Sequence, residues 1–345
     1  PVTTSAGSST FSRRTWSLGC ASSAELIRIL ATLFGVVAAG VAVVGLAVRY
    51  VPLGRHGTVL LATASPYLTL AAPVAVLLLT LGRRWVLTAL AVVLTLAVAL
   101  IQVPHYLGPE RVTAQSAPLR VFTSNLGMGL GDPAAVVAAA ERTADIVVLQ
   151  ELTQEAADGV IAAGLEKSFR HRIFDPEPMA GGLGIWSRFP LTDSAHVPGY
   201  SMVMLRTRVH VPDVAVAPIL VGVHFAAPWP QPIESWRKDM EKFPTMLREL
   251  AGEAGPGAVI VAGDFNATHD MLPFRELLAT GYRDAAEQAG AGMIRTFPVG
   301  IRRVPAVGID HVLLRNADAT AVRTELVPGA DHMALIADVV VRQEI

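Results

Sequence analysis

Apolar positions are concentrated in the first third of the chain. Before residue 104, three stretches contain no charged residue, namely Ile29–Val48, Thr58–Leu81 and Trp85–Val103. They are 20, 24 and 19 residues long, and a helix of about 20 residues crosses the hydrocarbon core of a bilayer. One such stretch could be a buried core helix, but three in succession predict three transmembrane helices within residues 26–103. Pro66 and Pro73 predict a kink in the second.

The segments on either side of these helices have a different composition. Residues 1–25 are rich in Ser and Thr and have no apolar face, so we expect a disordered N-terminal tail. Residues 104–118 contain three prolines and predict a stiff, extended linker. Cys20 is the single cysteine of the chain, which excludes an internal disulfide bond and a cysteine-built metal site.

An odd number of spans would place the two ends of the chain on opposite faces of the membrane. Five arginines lie near the spans on the side of the N-terminus: Arg13, Arg14, Arg28, Arg83 and Arg84. Four lie on the other side: Arg49, Arg55, Arg111 and Arg120. Because cytoplasmic loops carry the excess of basic residues, this count favours a cytoplasmic N-terminus by a narrow margin. We therefore expect a multi-pass protein of the cell membrane whose C-terminal region is extracytoplasmic.

From residue 119 the pattern becomes that of a water-soluble domain, which we assign to residues 119–345. Runs suited to β-strands are Leu119–Ser124, Asp145–Leu149, Leu183–Ser187, Met202–Val211, Ile219–His224, Val259–Ala262, Ile309–Leu314 and Ala334–Val341. Helical patterns are Pro133–Arg142, Gln154–Lys167, Ile233–Leu250 and Leu272–Leu278. Because strands outnumber helices, the pattern predicts an α/β domain with a mixed sheet or a pair of sheets.

Acids, amides and histidines follow or precede these strands. They are Asn125, Glu151, His224, Asp264, Asn266, Asp310, Asp331 and His332. Each one alone also fits a structural role: His224 could be a core histidine, Glu151 a charge at a helix start, and Asp331 a turn residue. Together, at the ends of strands, they predict a catalytic site built on a sheet.

The motifs around these residues resemble those of the endonuclease/exonuclease/phosphatase superfamily. The matching segments, in order, are Ser124-Asn125, Leu149-Gln150-Glu151, Gly182 to Pro190, Val223-His224, Gly263 to Thr268, Ile309 to Val312 and Asp331-His332. The resemblance implies a four-layered α/β sandwich with two mixed β-sheets and hydrolysis of phosphoesters with a divalent metal, usually Mg²⁺. With spans ahead of this domain, the chain is similar to VanJ-type actinobacterial membrane proteins, which are linked to teicoplanin resistance and to dephosphorylation of polyprenyl pyrophosphate.

The resemblance, read with the chemistry of each side chain, implies the following roles. Glu151, Asn125 and Asp331 would hold Mg²⁺, or Mn²⁺ in its place, because both metals prefer oxygen ligands. His332, paired with Asp310, would be the base or the electrostatic partner of the phosphate. Asp264 would orient or deprotonate the attacking water. Hydrogen bonds to the developing charge would come from Asn266 and His224.

Three positions limit this assignment. Nucleases of the superfamily often carry an acid two residues after the Asn of the first motif, whereas this chain has Gly127 there. That difference leaves the number of metal ligands open. We expect His269 to lie in a turn and His311 to point away from Asp310, so neither is included in the site.

The charge of the domain bears on its substrate. Residues 119–345 contain 20 Lys and Arg against 27 Asp and Glu, a net charge of −7. Proteins that follow a nucleic-acid backbone need a basic surface, so a nucleic-acid partner is not expected. Trp229 and Trp236 suit either a membrane interface or packing against a helix, and Arg302 and Arg303 could contact a phosphate or lie in a solvated loop.

These features predict a hydrolase acting on a lipid-linked, polyprenyl phosphate or pyrophosphate at the outer membrane surface. The alternatives are a phosphodiesterase of the sphingomyelinase or nuclease type and a catalytically silent membrane protein that binds a lipid or an antibiotic. The sequence leaves the oligomeric state open.

Overall fold

A computed structural model describes residues 23–108, 116–300 and 304–343 of the chain. Most of the expected tail, with Cys20, lies outside the described residues, as do much of the expected linker and the pair Arg302 and Arg303. Of the described residues, Ser23 in the expected tail begins a helix, and Ser116 in the expected linker begins a strand.

The apolar region forms four helices rather than three. They are α1 (Ser23–Val48), α2 (His56–Thr69), α3 (Ala71–Leu81) and α4 (Trp85–Gln102), followed by a 3₁₀ turn (Val103–Tyr106). Among the described residues, two helices are long and apolar enough to cross a membrane: α1, and α4 with its 3₁₀ turn. The expected second span is instead the pair α2 and α3, bent by 49°. By length and composition, the described helices therefore provide two candidate membrane spans, or three if the bent pair is one span.

The bend agrees with the prolines in this segment. Pro66 lies within α2 and Pro73 lies in the first turn of α3, on either side of the break at Leu70. A proline lacks a backbone N–H and clashes with the carbonyl four residues earlier, which interrupts a helix. The expected kink is therefore present, and it is large enough to divide the segment into two helices.

Small residues on α1 allow α2 and α3 to pack closely against it. A Cβ atom on Gly45 would lie 2.7 Å from the Cβ of Leu68, and one on Gly35 would lie 2.8 Å from the Cγ of Leu79. Side chains such as Leu33, Phe34 and Val37 on α1 are exposed. Small residues between helices with large apolar residues outward are typical of helices packed in lipid.

Residues 116–343 form an α/β domain with two mixed six-stranded sheets. The strands are β1 (Ser116–Asn125), β2 (Ile146–Gln150), β3 (His171–Asp175), β4 (Leu183–Ser187), β5 (Leu191–His196), β6 (Leu205–Val209), β7 (Ile219–His224), β8 (Val259–Asp264), β9 (Arg283–Asp284), β10 (Asp310–Arg315), β11 (Ala317–Leu326) and β12 (Met333–Arg342). One sheet has the order β11-β12-β1-β2-β4-β3 and the other β5-β6-β7-β8-β10-β9. The pairs β1–β2 and β7–β8 are parallel, and the remaining pairs are antiparallel.

Helices cover the outer faces of both sheets, which makes four layers. On the first sheet these are α5 (Pro133–Thr143), α6 (Gln154–Ala162) and α7 (Leu165–Ser168), and on the second α8 (Glu234–Ala254) and α9 (Leu272–Leu278). The short helix α10 (Ala285–Gln288) lies against β10 and β11 instead, and its Ala285 belongs to the cluster between the sheets. One apolar cluster joins the facing sides of the two sheets. A second packs α5 to α7 on the first sheet, and a third packs α8 and α9 on the second. The expected mixed-sheet α/β architecture is therefore correct.

Four strands do not follow from the hydrophobic pattern: β3, β5, β9 and β11. All of β5 is exposed except Leu191, which is partly buried, and β9 has only two residues. The helix expected over Gln154–Lys167 is divided into α6 and α7 because Gly164 has a φ of 103°. A left-handed residue ends an α-helix, and glycine adopts that conformation without a steric penalty.

The apolar N-terminal helices pack directly on the α/β domain. Val48, Leu53, Val59 and Ala62 belong to the same apolar cluster as α8 and α9. Arg49 forms a buried ion pair with Asp270, and Arg275 donates a hydrogen bond to the Arg49 carbonyl oxygen. Because buried charges require a partner, this pair fixes the α1–α2 loop in one position on the domain.

His311 on β10 and Asp284 on β9 form a second buried ion pair. His311 Nδ1 lies 2.5 Å from Asp284 Oδ2, and its Nε2 donates to the Ala267 carbonyl oxygen at 2.9 Å. Burial alone would lower the pKa of His311, but the Asp284 charge outweighs it and raises that pKa above its usual value. Burial would likewise raise the pKa of Asp284, but His311 lowers it. The expected exclusion of His311 from the site agrees with this pairing.

We expect Asp284→Asn to lower the free energy of unfolding by on the order of 3 kcal/mol where both groups are charged, because it removes one partner of a buried pair. His311 contributes stability below its unfolded pKa of about 6.5 and loses it as the pH rises through its raised folded pKa. Asp284 contributes above its unfolded pKa of about 3.9 and loses it as the pH falls through its lowered folded pKa. The loss should therefore be largest between about pH 4 and pH 6.5.

Denaturant unfolding of the detergent-purified protein across pH checks this dependence. Asp213→Asn, which changes an exposed acid, is the matched control and should have little effect at any pH. A difference between wild type and Asp284→Asn that stays constant across pH would contradict the ion pair.

Candidate functional site

Strand ends from both sheets meet at one edge of the sandwich. The parallel register places Asn125 beside Gln150, which precedes Glu151, and places His224 beside Asp264. On the other side of Asp264, the antiparallel register places Asp310. Because neighbouring strands lie about 4.8 Å apart, these side chains are brought within contact distance.

Asn125 connects the two sheets. Its Nδ2 donates to Glu151 Oε1 at 3.1 Å and to Asp264 Oδ2 at 3.0 Å. Its Oδ1 accepts a hydrogen bond from the Gly127 amide at 2.9 Å. The second carboxylate oxygen of Glu151 accepts one from the Met128 amide at 2.5 Å. The loop after β1 therefore orients both the amide and the first acid of the expected metal site.

Gly127 and Asp331 lie against each other. Gly127 has a φ of 57°, and a Cβ atom on it would lie 2.8 Å from Asp331 Oδ1. The carboxylate of Asp331, an exposed residue, thus occupies the place where a side chain at position 127 would lie. Position 127 has no acid in this chain, and the carboxylate of Asp331, from the loop before β12, lies beside it.

His332 is held by Asp310, as expected. His332 Nδ1 lies 2.8 Å from Asp310 Oδ2, and its Nε2 lies 3.8 Å from Asp264 Oδ2. Burial alone would lower the pKa of His332, but the charge and hydrogen bond of Asp310, with Asp264, raise it to about 10. The Asp310 carboxylate therefore favours the protonated form of the imidazole.

His224 has a different environment, although it lies on the same edge. Its Nδ1 donates to the Ala180 carbonyl oxygen at 3.0 Å, and its Nε2 lies 3.8 Å from both Glu151 Oε1 and Asp264 Oδ2. Burial lowers the pKa of His224 despite the nearby Glu151 charge. In its neutral form the Nδ1 hydrogen is used by Ala180, so Nε2 is an acceptor.

Asn266 supports Asp264. Its backbone N–H donates to Asp264 Oδ1 at 2.7 Å. Its side-chain Nδ2 donates to the Phe225 carbonyl oxygen at 2.9 Å and to Asp264 Oδ2 at 3.3 Å. Asn266 has a φ of 47° and Glu151 one of 53°. Such left-handed residues are uncommon outside glycine and are concentrated at functional sites.

The site carries more negative than positive charge. Asp264 and Asp310 face His332, while Glu151 and Asp264 face His224, whose pKa is lowered by burial. Burial, followed by the Asp310 charge, raises the pKa of Asp264 to about 7. Asp310 Oδ1 is buried and has no hydrogen-bond partner among the described residues. A cation would relieve both conditions, so these oxygen donors fit a divalent metal ion such as Mg²⁺.

Sequence reasoning did not identify the loop residues that support this site. The buried Thr296 hydroxyl oxygen accepts hydrogen bonds from the Ile309 and Asp310 amides at 3.3 and 3.4 Å. The Phe297 ring lies 4.9 Å from the His332 ring. Both residues belong to a loop without periodic pattern, so nothing in the sequence around them indicated their contacts.

Comparisons with known proteins match this domain. The model of the endonuclease/exonuclease/phosphatase family matches residues 122–333. Among curated proteins, no match was found. The solved structures that are similar include a 3′-5′ exonuclease from Neisseria meningitidis, with 19% identity, a TM-score of 0.51, and coverage of 64% of this chain and 98% of that one.

Two further structures share the fold. A family protein from Bacteroides thetaiotaomicron has 16% identity and a TM-score of 0.52, with coverage of 66% of this chain and 99% of that one. TDP2 of D. rerio, complexed with a single-strand DNA product, has 18% identity and a TM-score of 0.51, with coverage of 65% and 99%. The chain belongs to the endonuclease/exonuclease/phosphatase family.

Proposed function

We propose that this protein is a divalent-metal-dependent phosphohydrolase that works at a membrane surface on a lipid-linked phosphate or pyrophosphate. The observation that carries the catalytic part is the contact between His332 and Asp310 at 2.8 Å, with Asp264 facing the other ring nitrogen of His332 at 3.8 Å. This arrangement places an imidazole beside two carboxylates, next to the oxygen atoms of Asn125 and Glu151. A phosphate group needs such a combination of imidazole, acceptor and metal-binding oxygens.

Glu151 and Asn125 would hold the metal ion, with Asp331 beside Gly127 as the further oxygen donor. Mg²⁺, or Mn²⁺ in its place, would neutralise charge on the phosphoryl oxygens. Asn125 also donates to Asp264, so the same side chain would connect the metal-binding side of the site to the side that handles water.

The remaining residues act on the phosphoryl group and on water. His332 would donate from Nε2 to a phosphoryl oxygen and stabilise charge that develops there. Asp264 would accept a proton from the attacking water as the new P–O bond forms and the bond to the leaving oxygen breaks. Asn266, whose Nδ2 hydrogens are both used, would position Asp264 rather than contact the phosphate. His224 would serve as a donor only when protonated.

Three features support a lipid-linked substrate over nucleic acid. The domain has a net charge of −7, from 20 basic and 27 acidic residues, whereas nucleic-acid binding requires positive charge. Apolar helices pack on the domain through the cluster that includes Val59 and Ala62. Trp229 is 53% exposed and lies two residues before Gln231, whose carbonyl oxygen accepts a hydrogen bond from His56 at the start of α2. Trp236, in contrast, is buried and has a packing role.

The helix arrangement also supports an extracytoplasmic domain. The domain contacts the end of α1 and the start of α2, whereas the Arg83-Arg84 turn lies at the opposite end, where a Cβ atom on Gly82 would be 3.3 Å from the Arg28 carbonyl oxygen. The basic turn and the start of α1 thus share one end. If that end is cytoplasmic, as the positive-inside rule favours, the α/β domain lies outside.

The test of this proposal is phosphate release by the detergent-purified protein on four substrates side by side. They are polyprenyl pyrophosphate, polyprenyl phosphate, sphingomyelin and DNA with a 3′-phosphate. The solved relatives named for exonuclease activity and for a DNA product make DNA the main competing substrate. Preference for DNA would reject the lipid part of the proposal, and turnover of none of the four would support a silent binding protein.

Metal removal is the first mechanistic prediction. EDTA should abolish turnover, and Mg²⁺ or Mn²⁺ should restore it, because the oxygens of Glu151 and Asn125 need a cation to act on phosphate. Glu151→Gln should lose activity while its circular dichroism spectrum is unchanged. Glu155→Gln, which changes the neighbouring exposed acid on α6, is the control. Full activity in EDTA would overturn the mechanism.

The second prediction concerns His332 and Asp310 as one unit. His332→Ala and Asp310→Asn should each reduce kcat by on the order of 10² to 10⁴, and the double variant should lose little more. The pair of exposed His196 and partly buried Asp175, 3.5 Å apart, is the matched control, and the corresponding changes there should leave kcat within about twofold. Losses that multiply in the double variant would mean that the two residues act separately.

The third prediction concerns contact with the membrane. Trp229→Ala should lower the rate on polyprenyl pyrophosphate in vesicles severalfold more than the rate on a soluble phosphate ester, because an interfacial tryptophan contributes only when a bilayer is present. Leu326→Ala removes an equally exposed apolar side chain, 55% exposed, and should change neither rate. Equal effects of Trp229→Ala on both substrates would place this loop away from the bilayer.

A further inference from the structure

A second group of ligand-type side chains lies between the membrane helices and the α/β domain, apart from the catalytic edge. His105 comes from the 3₁₀ turn after α4, His269 from the loop after β8, and Glu287 from α10. One donor atom from each lies within 4.8 Å of the other two. All three side chains are partly buried, so a ligand between them would be shielded from solvent on several sides.

The distances within this group fit a bound metal ion. His269 Nε2 and Glu287 Oε2 are 3.3 Å apart, and the rings of His105 and His269 are 4.3 Å apart, edge to face. Bonds of about 2.0 to 2.1 Å at tetrahedral angles place two ligand atoms about 3.3 Å from each other. The group therefore already has nearly the spacing that coordination requires.

Close backbone packing holds His105 in position. The Gly292 amide donates to the His105 carbonyl oxygen at 2.8 Å. A Cβ atom on Gly292 would lie 2.3 Å from the Tyr106 ring, and one on Gly290 would lie 2.5 Å from the Gly108 nitrogen. Because both glycines are needed for this approach, the 3₁₀ turn is seated on the segment after α10 in a defined position.

The neighbouring charged groups are already paired elsewhere. Asp270 is bound by Arg49, and Asp284 by His311. The group faces a cleft that extends from Tyr67 on α2 to Asp310 at the catalytic edge. Three protein ligands with a cleft beside them leave one coordination position for water or another small ligand.

We propose that His105, His269 and Glu287 form a second metal site, for Zn²⁺ or a similar transition metal, that joins the end of the last membrane helix to the α/β domain. Two imidazoles and one carboxylate suit Zn²⁺, whereas Mg²⁺ prefers oxygen ligands alone. The site differs from the oxygen-rich catalytic edge in its ligands and in its place in the fold. It also gives the 3₁₀ turn a second, metal-dependent attachment to the domain.

Metal content of the full-length protein tests this proposal without reference to activity. The protein is purified in detergent without a histidine tag, stripped with chelator, and dialysed against micromolar Zn²⁺ in millimolar Mg²⁺. Elemental analysis should find one zinc per chain in the wild type. His105→Gln, His269→Gln and Glu287→Gln should each lose it.

Two control variants locate the bound zinc. Glu151→Gln alters the catalytic edge and should retain one zinc, which separates this proposal from the proposed hydrolysis. His210→Gln changes an exposed histidine bonded to Thr192 and should also retain it. Loss of zinc in Glu151→Gln, or retention in all three ligand variants, would overturn the proposal.

The visible absorption of bound Co²⁺ tests the site in the wild type, so this test does not depend on the folding of any variant. Co²⁺ in place of Zn²⁺ should give the intense visible absorption of a four-coordinate ion, and added Zn²⁺ should remove it. Zn²⁺ should also raise the unfolding temperature of the wild type, because it binds the folded state. No cobalt absorption and no zinc-dependent stabilisation would show that the group holds no metal.

Discussion

The hydrogen bonds donated by the Asn125 amide to Glu151 and Asp264 hold together acids that repel each other. Two unit charges 4 Å apart interact by about 4 kcal/mol at an effective dielectric constant of 20. Here the carboxylates of Glu151, Asp264 and Asp310 share one edge with His332. Burial and then the Asp310 charge raise the pKa of Asp264, while the Gly127 and Met128 amides donate hydrogen bonds to Asn125 and Glu151.

The sandwich architecture makes this concentration of charge possible. Glu151 and Asn125 come from the first sheet, while His224, Asp264 and Asp310 come from the second. The apolar cluster between the sheets holds their facing sides rigidly together, so the charged groups at the edge cannot separate. The apolar N-terminal helices contact the outer core of the second sheet, and Arg49 on the α1–α2 loop pairs with Asp270, so these helices pack on the sheet that carries Asp264 and Asp310.

Much of this arrangement could be predicted from local pattern. Strands such as Leu183–Ser187 and Ile219–His224 agree with the structure to the residue, because apolar runs that are buried on both faces have a clear signal. The polar residues at the strand ends were also identifiable, since chemistry and position along the chain agree. Local pattern failed where burial is low or where a bend intervenes, as in β5 and in the division of the second apolar segment into α2 and α3.

The sequence by itself determined the apolar N-terminal region, the mixed α/β domain, the family motifs and the pairing of His332 with Asp310. Only the tertiary structure decided that Asp331 fills the space beside Gly127, that Asn266 supports Asp264, that Trp236 is buried while Trp229 is exposed, and that His105 meets His269 and Glu287. Each of these joins residues that are distant along the chain or places a side chain on a face that its neighbours do not indicate. Local periodicity records which residues prefer to be buried, but the partners of a side chain depend on how separate elements pack.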